Sequence, residues 1–95
     1  MMSEITGEAT VIRNANVLVA EIGGELVLMS VSQWHYFGLN SVASEIWERL
    51  ASPMRVDALC DTLALEYDAD IQVIRQDVME LLSKLASREL IEVQA

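Results

Sequence analysis

The chain has one histidine, one cysteine and a few regularly spaced carboxylates with which to do chemistry. His35 has no second histidine and no cysteine cluster to complete a metal site or a nucleophile–base pair. It stands in an aromatic run, where a surface or edge imidazole is the expected role. Cys60 falls on the apolar stripe of a helical segment. A reactive thiolate needs a polar, electropositive setting, so Cys60 reads as a buried structural thiol. A lone cysteine also excludes an internal disulfide and a cysteine-rich metal site. Asp57 and Asp61 lie four residues apart, and Asp77 and Glu80 three apart. A pair of carboxylates at helical spacing reads as a solvated face, which leaves no metal site. Gly23-Gly24 lacks the Lys-Ser/Thr and the helix that complete a phosphate loop. The expectation is a binding protein with no catalytic residues, no metal and no cofactor.

Recognition chemistry is better supplied. Trp34, His35, Tyr36 and Phe37 form an aromatic strand that ends a meander, so its far edge is unpaired. Such an edge offers N–H and C=O groups at alternate residues, a template for an added strand. Trp34, Tyr36 and Phe37 would stand beside it with large amphipathic side chains suited to interfaces. A late helix carries an apolar stripe wider than one core contact needs. On this reading Ile71, Arg75, Val78 and Leu82 line one shoulder of a groove, while Ile74, Leu81 and Leu85 face the core.

The elements that must position these residues divide at Asn40. Before it the period is that of strands. Val17–Ile22 and Glu25–Val31 flank Gly23-Gly24, and glycine supplies the positive φ that a two-residue hairpin turn demands. That loop sets Ile22 opposite Glu25, Ala20 opposite Val27 and Leu18 opposite Met29. One face then carries Leu18, Ala20, Ile22, Val27 and Met29, and the other Val17, Val19, Leu26 and Leu28. Both faces are largely apolar, so helices are expected on one, and the N-terminal segment or a second subunit on the other. Ser32-Gln33 reads as the turn into a strand from Trp34 to Leu39. After Asn40 the period is helical. A first helix capped by Asn40 or Ser41 presents Val42, Ile46, Trp47 and Leu50, and Ala51-Ser52-Pro53 ends it. A second runs from about Val56 to Tyr67, and a third, capped by Asp70, from Ile71 to about Arg88. Leu90–Val93 reads as a short last strand. The fold class is α+β: a winged helix-turn-helix-like outline with a three-stranded antiparallel sheet followed by three helices. The whole chain, 1–95, reads as one domain with an ordered core from about Val11 to Val93.

Composition narrows the partners. The 95 residues carry 15 Asp and Glu against six Lys and Arg, a net charge of −9. Phosphate backbones and anionic membranes repel such a chain. The third helix offers only Gln72, Arg75 and Gln76 near its start to reach base edges, so DNA binding, the usual use of the outline, is not expected. Met1–Glu8 lacks the basic start of a signal peptide, no apolar run reaches membrane-spanning length, and a cytoplasmic protein is expected. The hydrophobic share of 53% is high and leaves apolar surface for a partner.

An ordered set of motifs resembles the PqqD family: Leu26-Val27-Leu28, then Tyr36-Phe37-Gly38-Leu39-Asn40, then Ile46-Trp47. Val56–Leu59, Glu66-Tyr67-Asp68, Asp77-Val78 and Leu81–Leu90 extend it, so it covers about Arg13 to Ile91. The resemblance implies a peptide-recognition element for ribosomally made, modified natural products. Such an element takes the leader of a precursor peptide as an added strand beside the third helix and presents it to a modifying enzyme. By this resemblance Gln33, Trp34, His35, Tyr36 and Phe37, with Ile71, Ile74, Arg75, Val78 and Leu82, bind the leader, and Arg75 is its charged contact. Overall similarity points to lasso peptide biosynthesis, with a leader peptidase of the transglutaminase-like cysteine protease type as partner. Two alternatives stay open. One is a PqqD-type chaperone in pyrroloquinoline quinone synthesis, partnering a radical SAM enzyme. The other is a structural dimerisation subunit, a homodimer through the two-sided sheet without peptide binding. Ala43 and Glu89 stand where the family often has glycine. Glu89 forgoes a glycine helix end, and neither departure is expected to touch the groove.

Overall fold

The computed structural model describes residues 5–94. Of the segment Met1–Glu8, which was read for targeting signals, Met1–Glu4 therefore lie outside the described residues. The element order is β1 (Thr10–Arg13), β2 (Val17–Ile22), β3 (Glu25–Ser30), β4 (Tyr36–Leu39), α1 (Ser41–Arg49), β5 (Met54–Arg55), α2 (Val56–Tyr67), α3 (Ile71–Ser87) and β6 (Ile91–Gln94). Among these residues no helix is long and apolar enough to cross a membrane.

The meander is present in the expected register. Gly23 and Gly24 take φ of 61° and 84°, and Ile22 pairs with Glu25, Ala20 with Val27 and Leu18 with Met29. Positive φ at both turn residues is what a primed turn requires, and two glycines meet it without steric cost. The strand after the turn is shorter than expected. Val31–Gln33 form a turn, Trp34 takes a left-handed φ of 58°, and β4 begins only at Tyr36. Gln33, Trp34 and His35 therefore lie outside the sheet, because the Trp34 N–H turns back to the Ser30 carbonyl at 2.8 Å.

A second sheet was not foreseen. β1 lies between β5 and β6, with Val11 opposite both Met54 and Val93. It draws its strands from the start, middle and end of the chain, and β5 runs directly into α2. Val11 is fully buried, so this sheet closes the end of the core where α3 exits.

The helices follow their caps. Asn40 accepts from the Ala43 N–H at 2.9 Å and Asp70 from the Gln72 N–H at 2.8 Å, each satisfying an orphan donor of a first turn. Asp68 ends α2 with a left-handed φ of 48°. The core gathers Leu28 and Leu39 from the meander, Ile46, Trp47 and Leu50 from α1 and its end, Leu59 and Leu63 from α2, and Val78, Leu82 and Leu85 from α3. The opposite face of the meander stays open. Leu18 and Ile22 are 55% and 65% exposed, and among the described residues no helix covers them.

Candidate functional site

The site begins at the outer edge of β4. The sheet order is β2-β3-β4, so among the described residues β4 has a strand on one side only. A two-residue hairpin makes its flanking pair, Ile22 with Glu25, a hydrogen-bonded one, and bonded and non-bonded pairs then alternate along β3. Leu26 and Leu28 thus bond to β4 through their partners Leu39 and Phe37. The backbone groups of Tyr36 and Gly38 are left to point outward. Nothing lies within 4 Å of the place a Cβ on Gly38 would occupy, so this stretch of the edge is uncrowded.

A groove runs beside that edge. Its first part, about 290 Å³, is walled by Phe37 and Gly38 of β4 and by Asp77, Leu81 and Lys84 of α3. Its second, about 320 Å³, lies between the helices over Ile46, Leu63 and Val78, with Ile74 and Tyr67 on its sides. Asn40, Ala43, Asp77 and Leu81 line both parts, so the two are continuous. The groove has an apolar floor and a charged rim. Lys84 pairs with Glu80 at 3.7 Å, and the Arg88 guanidinium lies 5.6 Å from the centroid of the Phe37 ring.

The structure brings together part of the expected residue set. Tyr36 is 72% exposed at the edge, Phe37 and Ile74 are half-buried in the groove walls, and Val78 is in the floor. Ile71 packs against the core. The expected split of α3 is reversed on one side. Leu82 is fully buried, Arg75 lines a different hollow beside Cys60 and Met79, and Leu81 and Ile74 form the groove shoulder. At about 100° per residue, Val78 and Leu85 mark the middle of the apolar arc. Ile74 and Leu81 flank it on one side and Arg75 on the other, and only the placement of β4 decides which flank is the groove. Gly38, Asn40, Ala43, Leu81 and Lys84 were missed as site residues, and Asp77 was read only as a solvated acid. The sequence signal for Asn40 was its cap position, which places it at the junction of β4 and α1.

Both departures from the family pattern touch this region, contrary to expectation. Ala43 lines both parts of the groove. Glu89 takes a left-handed φ of 59°, and its carboxylate accepts from Gln33 Nε2 at 3.0 Å.

The paired acids do not gather. Asp57 is bound by Arg55 at 2.8 Å and Glu80 by Lys84. Among the described residues no three His, Cys, Asp or Glu side chains form a group able to hold a metal. Burial pushes the Cys60 thiol above its ordinary 9.0.

The family model for Coenzyme PQQ synthesis protein D (PqqD) matches residues 25–91, from the start of β3 to the start of β6. The chain belongs to the PqqD family. The matched span of this PqqD-family chain holds both walls of the groove. A solved structure, TbiB1 in complex with the TbiA(beta) leader peptide, is similar at 33% identity and a TM-score of 0.75. The similarity covers 85% of this chain and 94% of that one. No curated protein matches the chain.

Proposed function

We propose that this chain captures the leader segment of a ribosomally made precursor peptide, in the cytoplasm, and presents it to a modifying enzyme without catalysing a reaction itself. The leader adds as a strand antiparallel to β4, bonding to Tyr36 and Gly38. Its apolar side chains enter the groove against Phe37, Leu81 and Ile74. Main-chain bonds supply affinity and the pockets supply selectivity. The observation that carries this reading is the unpaired β4 edge beside a continuous apolar groove. The likeness to a structure holding a leader peptide supports it. In this reading the leader peptidase of a lasso peptide system, of the transglutaminase-like cysteine protease type, receives the captured precursor. A radical SAM enzyme takes that place if the pathway makes pyrroloquinoline quinone.

The test is titration of labelled leader segments taken from candidate precursor peptides of the same genome, with amide exchange followed at Tyr36 and Gly38. Saturable binding at micromolar concentration with protection of those two amides is expected. Folded protein that leaves the leader unbound overturns the reading.

The open outer face of the meander favours a second reading, a homodimer through Leu18, Ile22 and Met29. Sedimentation that changes with concentration, without leader binding, would favour it.

A further inference from the structure

Glu89 follows α3 in a left-handed conformation that a side chain other than glycine rarely adopts. A strained backbone persists where the surrounding structure holds the residue in place. The Glu89 carboxylate reaches across to the connection between β3 and β4, accepting from Gln33 Nε2 at 3.0 Å and from Ser32 Oγ at 3.3 Å. Ser32 Oγ in turn lies 3.1 Å from Ser30 Oγ, which is buried. The backbone of the same corner is fixed from a third direction. Asn14 Nδ2 donates to the Glu89 carbonyl at 3.0 Å, and the Asn14 N–H donates to the Leu90 carbonyl at 2.9 Å. The connection so held contains another left-handed residue, Trp34, whose N–H closes the turn on the Ser30 carbonyl. One carboxylate on a left-handed residue thus holds the two residues that directly precede another. The connection leads directly into Tyr36, the first residue of the open edge.

We propose that Glu89 is a positioning residue: through Gln33 and Ser32 it holds the β3–β4 connection in one shape, and so presets the β4 edge for the incoming strand. The preset edge rests on the peptide-capture reading. The fixed connection does not. A preset edge lowers the ordering cost that the peptide must overcome on binding.

Three variants separate this role from that of a helix end. Glu89→Gly keeps the left-handed backbone at ease and removes the acceptors. Glu89→Ala keeps the strain and removes the acceptors. Glu89→Gln keeps both contacts, its carbonyl oxygen accepting from Gln33 and its amide donating to Ser32 Oγ. The readout is amide exchange of the Trp34 N–H, with a core α3 amide as reference for global opening. Exchange about tenfold faster in Gly and Ala, and near the native rate in Gln, is expected. Thermal stability should follow a different order, with Gly above Ala, because backbone ease governs it. The two orders must cross. Equal Trp34 exchange in all four proteins overturns the fixed connection. The same variants are then titrated with the labelled leader. Weaker binding in Gly and Ala, restored in Gln, supports the preset edge, and unchanged binding overturns it. Native protein that binds no leader overturns the peptide-capture reading and the preset edge together, while the exchange result still decides the connection.

Discussion

Asn40 closes the first turn of α1 by accepting the Ala43 N–H at 2.9 Å, and the same two residues line both parts of the groove. A helix cap and a binding wall are therefore one structure. Removing the cap in Asn40→Ala should cost about 1 kcal/mol. For a domain of this size that lowers the melting temperature by roughly 4–8 °C. Asn40→Ser retains an acceptor and should restore most of the loss. Thermal melts of the two variants check this, and equal loss in both would detach the cap from stability.

Gly38 tests the proposed strand addition from the backbone side. The sheet leaves its N–H facing the open edge, so proline there deletes a donor the fold itself does not use. Phe37 before it is extended, which a following proline accepts. Gly38→Pro should weaken leader binding about three- to tenfold, the range of one net hydrogen bond. Gly38→Ala, whose Cβ meets open space, should bind as the native chain does. Titration of both variants decides, and equal binding would remove Gly38 from the paired edge.

A large part of this architecture could be read from the residues. The Gly23-Gly24 turn set the meander's register, and Asn40 and Asp70 marked two helix starts. The β1–β5–β6 sheet could not be read the same way. β5 is two residues long and carries no period, and β1 meets its partners more than forty residues away. Local patterning cannot rank such pairings, because they are settled by burial of Val11 at the end of the core. The groove was legible as an idea but not as a residue set. A helical stripe shows its middle clearly and its two flanks equally. Trp34 misled for a related reason: aromatic composition favours a strand, but its amide is held by Ser30 in a turn.

The tie between α1 and α2 should carry a pH signature. The Tyr67 hydroxyl donates to Glu45, and Arg49 bridges Glu45 and Glu66. The Tyr67 hydrogen bond, then Arg49, holds the Glu45 carboxyl below its ordinary 4.5. Its contribution is present above that value and is lost as pH falls through the lower folded value. The same hydrogen bond raises the Tyr67 phenol above its ordinary 10.0, so that contribution is present below 10 and is lost at higher pH. The melting difference between the native chain and Tyr67→Phe should be flat from about pH 6 to 9 and shrink at both extremes. A difference that does not vary with pH would sever Tyr67 from Glu45.

Cys60 gives a probe of opening. Its thiol is 1% exposed and raised by burial, so it is both hidden and protonated at neutral pH. A disulfide reagent should label it only as fast as the fold opens, with full labelling in denaturant. Rapid labelling of the folded chain would contradict its place in the core.

Substitutions along α3 separate core from groove. Leu82 is fully buried in the core, and its truncation to alanine leaves a cavity there. Leu82→Ala should cost about 2–5 kcal/mol. It should alter leader binding only through unfolding. Leu81 is half-buried at the groove shoulder, one residue and about 100° away. Leu81→Ala loses less buried area and should cost about 1 kcal/mol. It should nevertheless weaken leader binding more than any stability loss explains. Arg75 lies on the other flank beside Cys60, so Arg75→Ala should leave the leader's affinity unchanged. The three variants need melting curves and leader titrations under one condition. Binding that falls with Arg75→Ala but not with Leu81→Ala would move the peptide to the opposite flank of the helix, as the sequence alone had suggested.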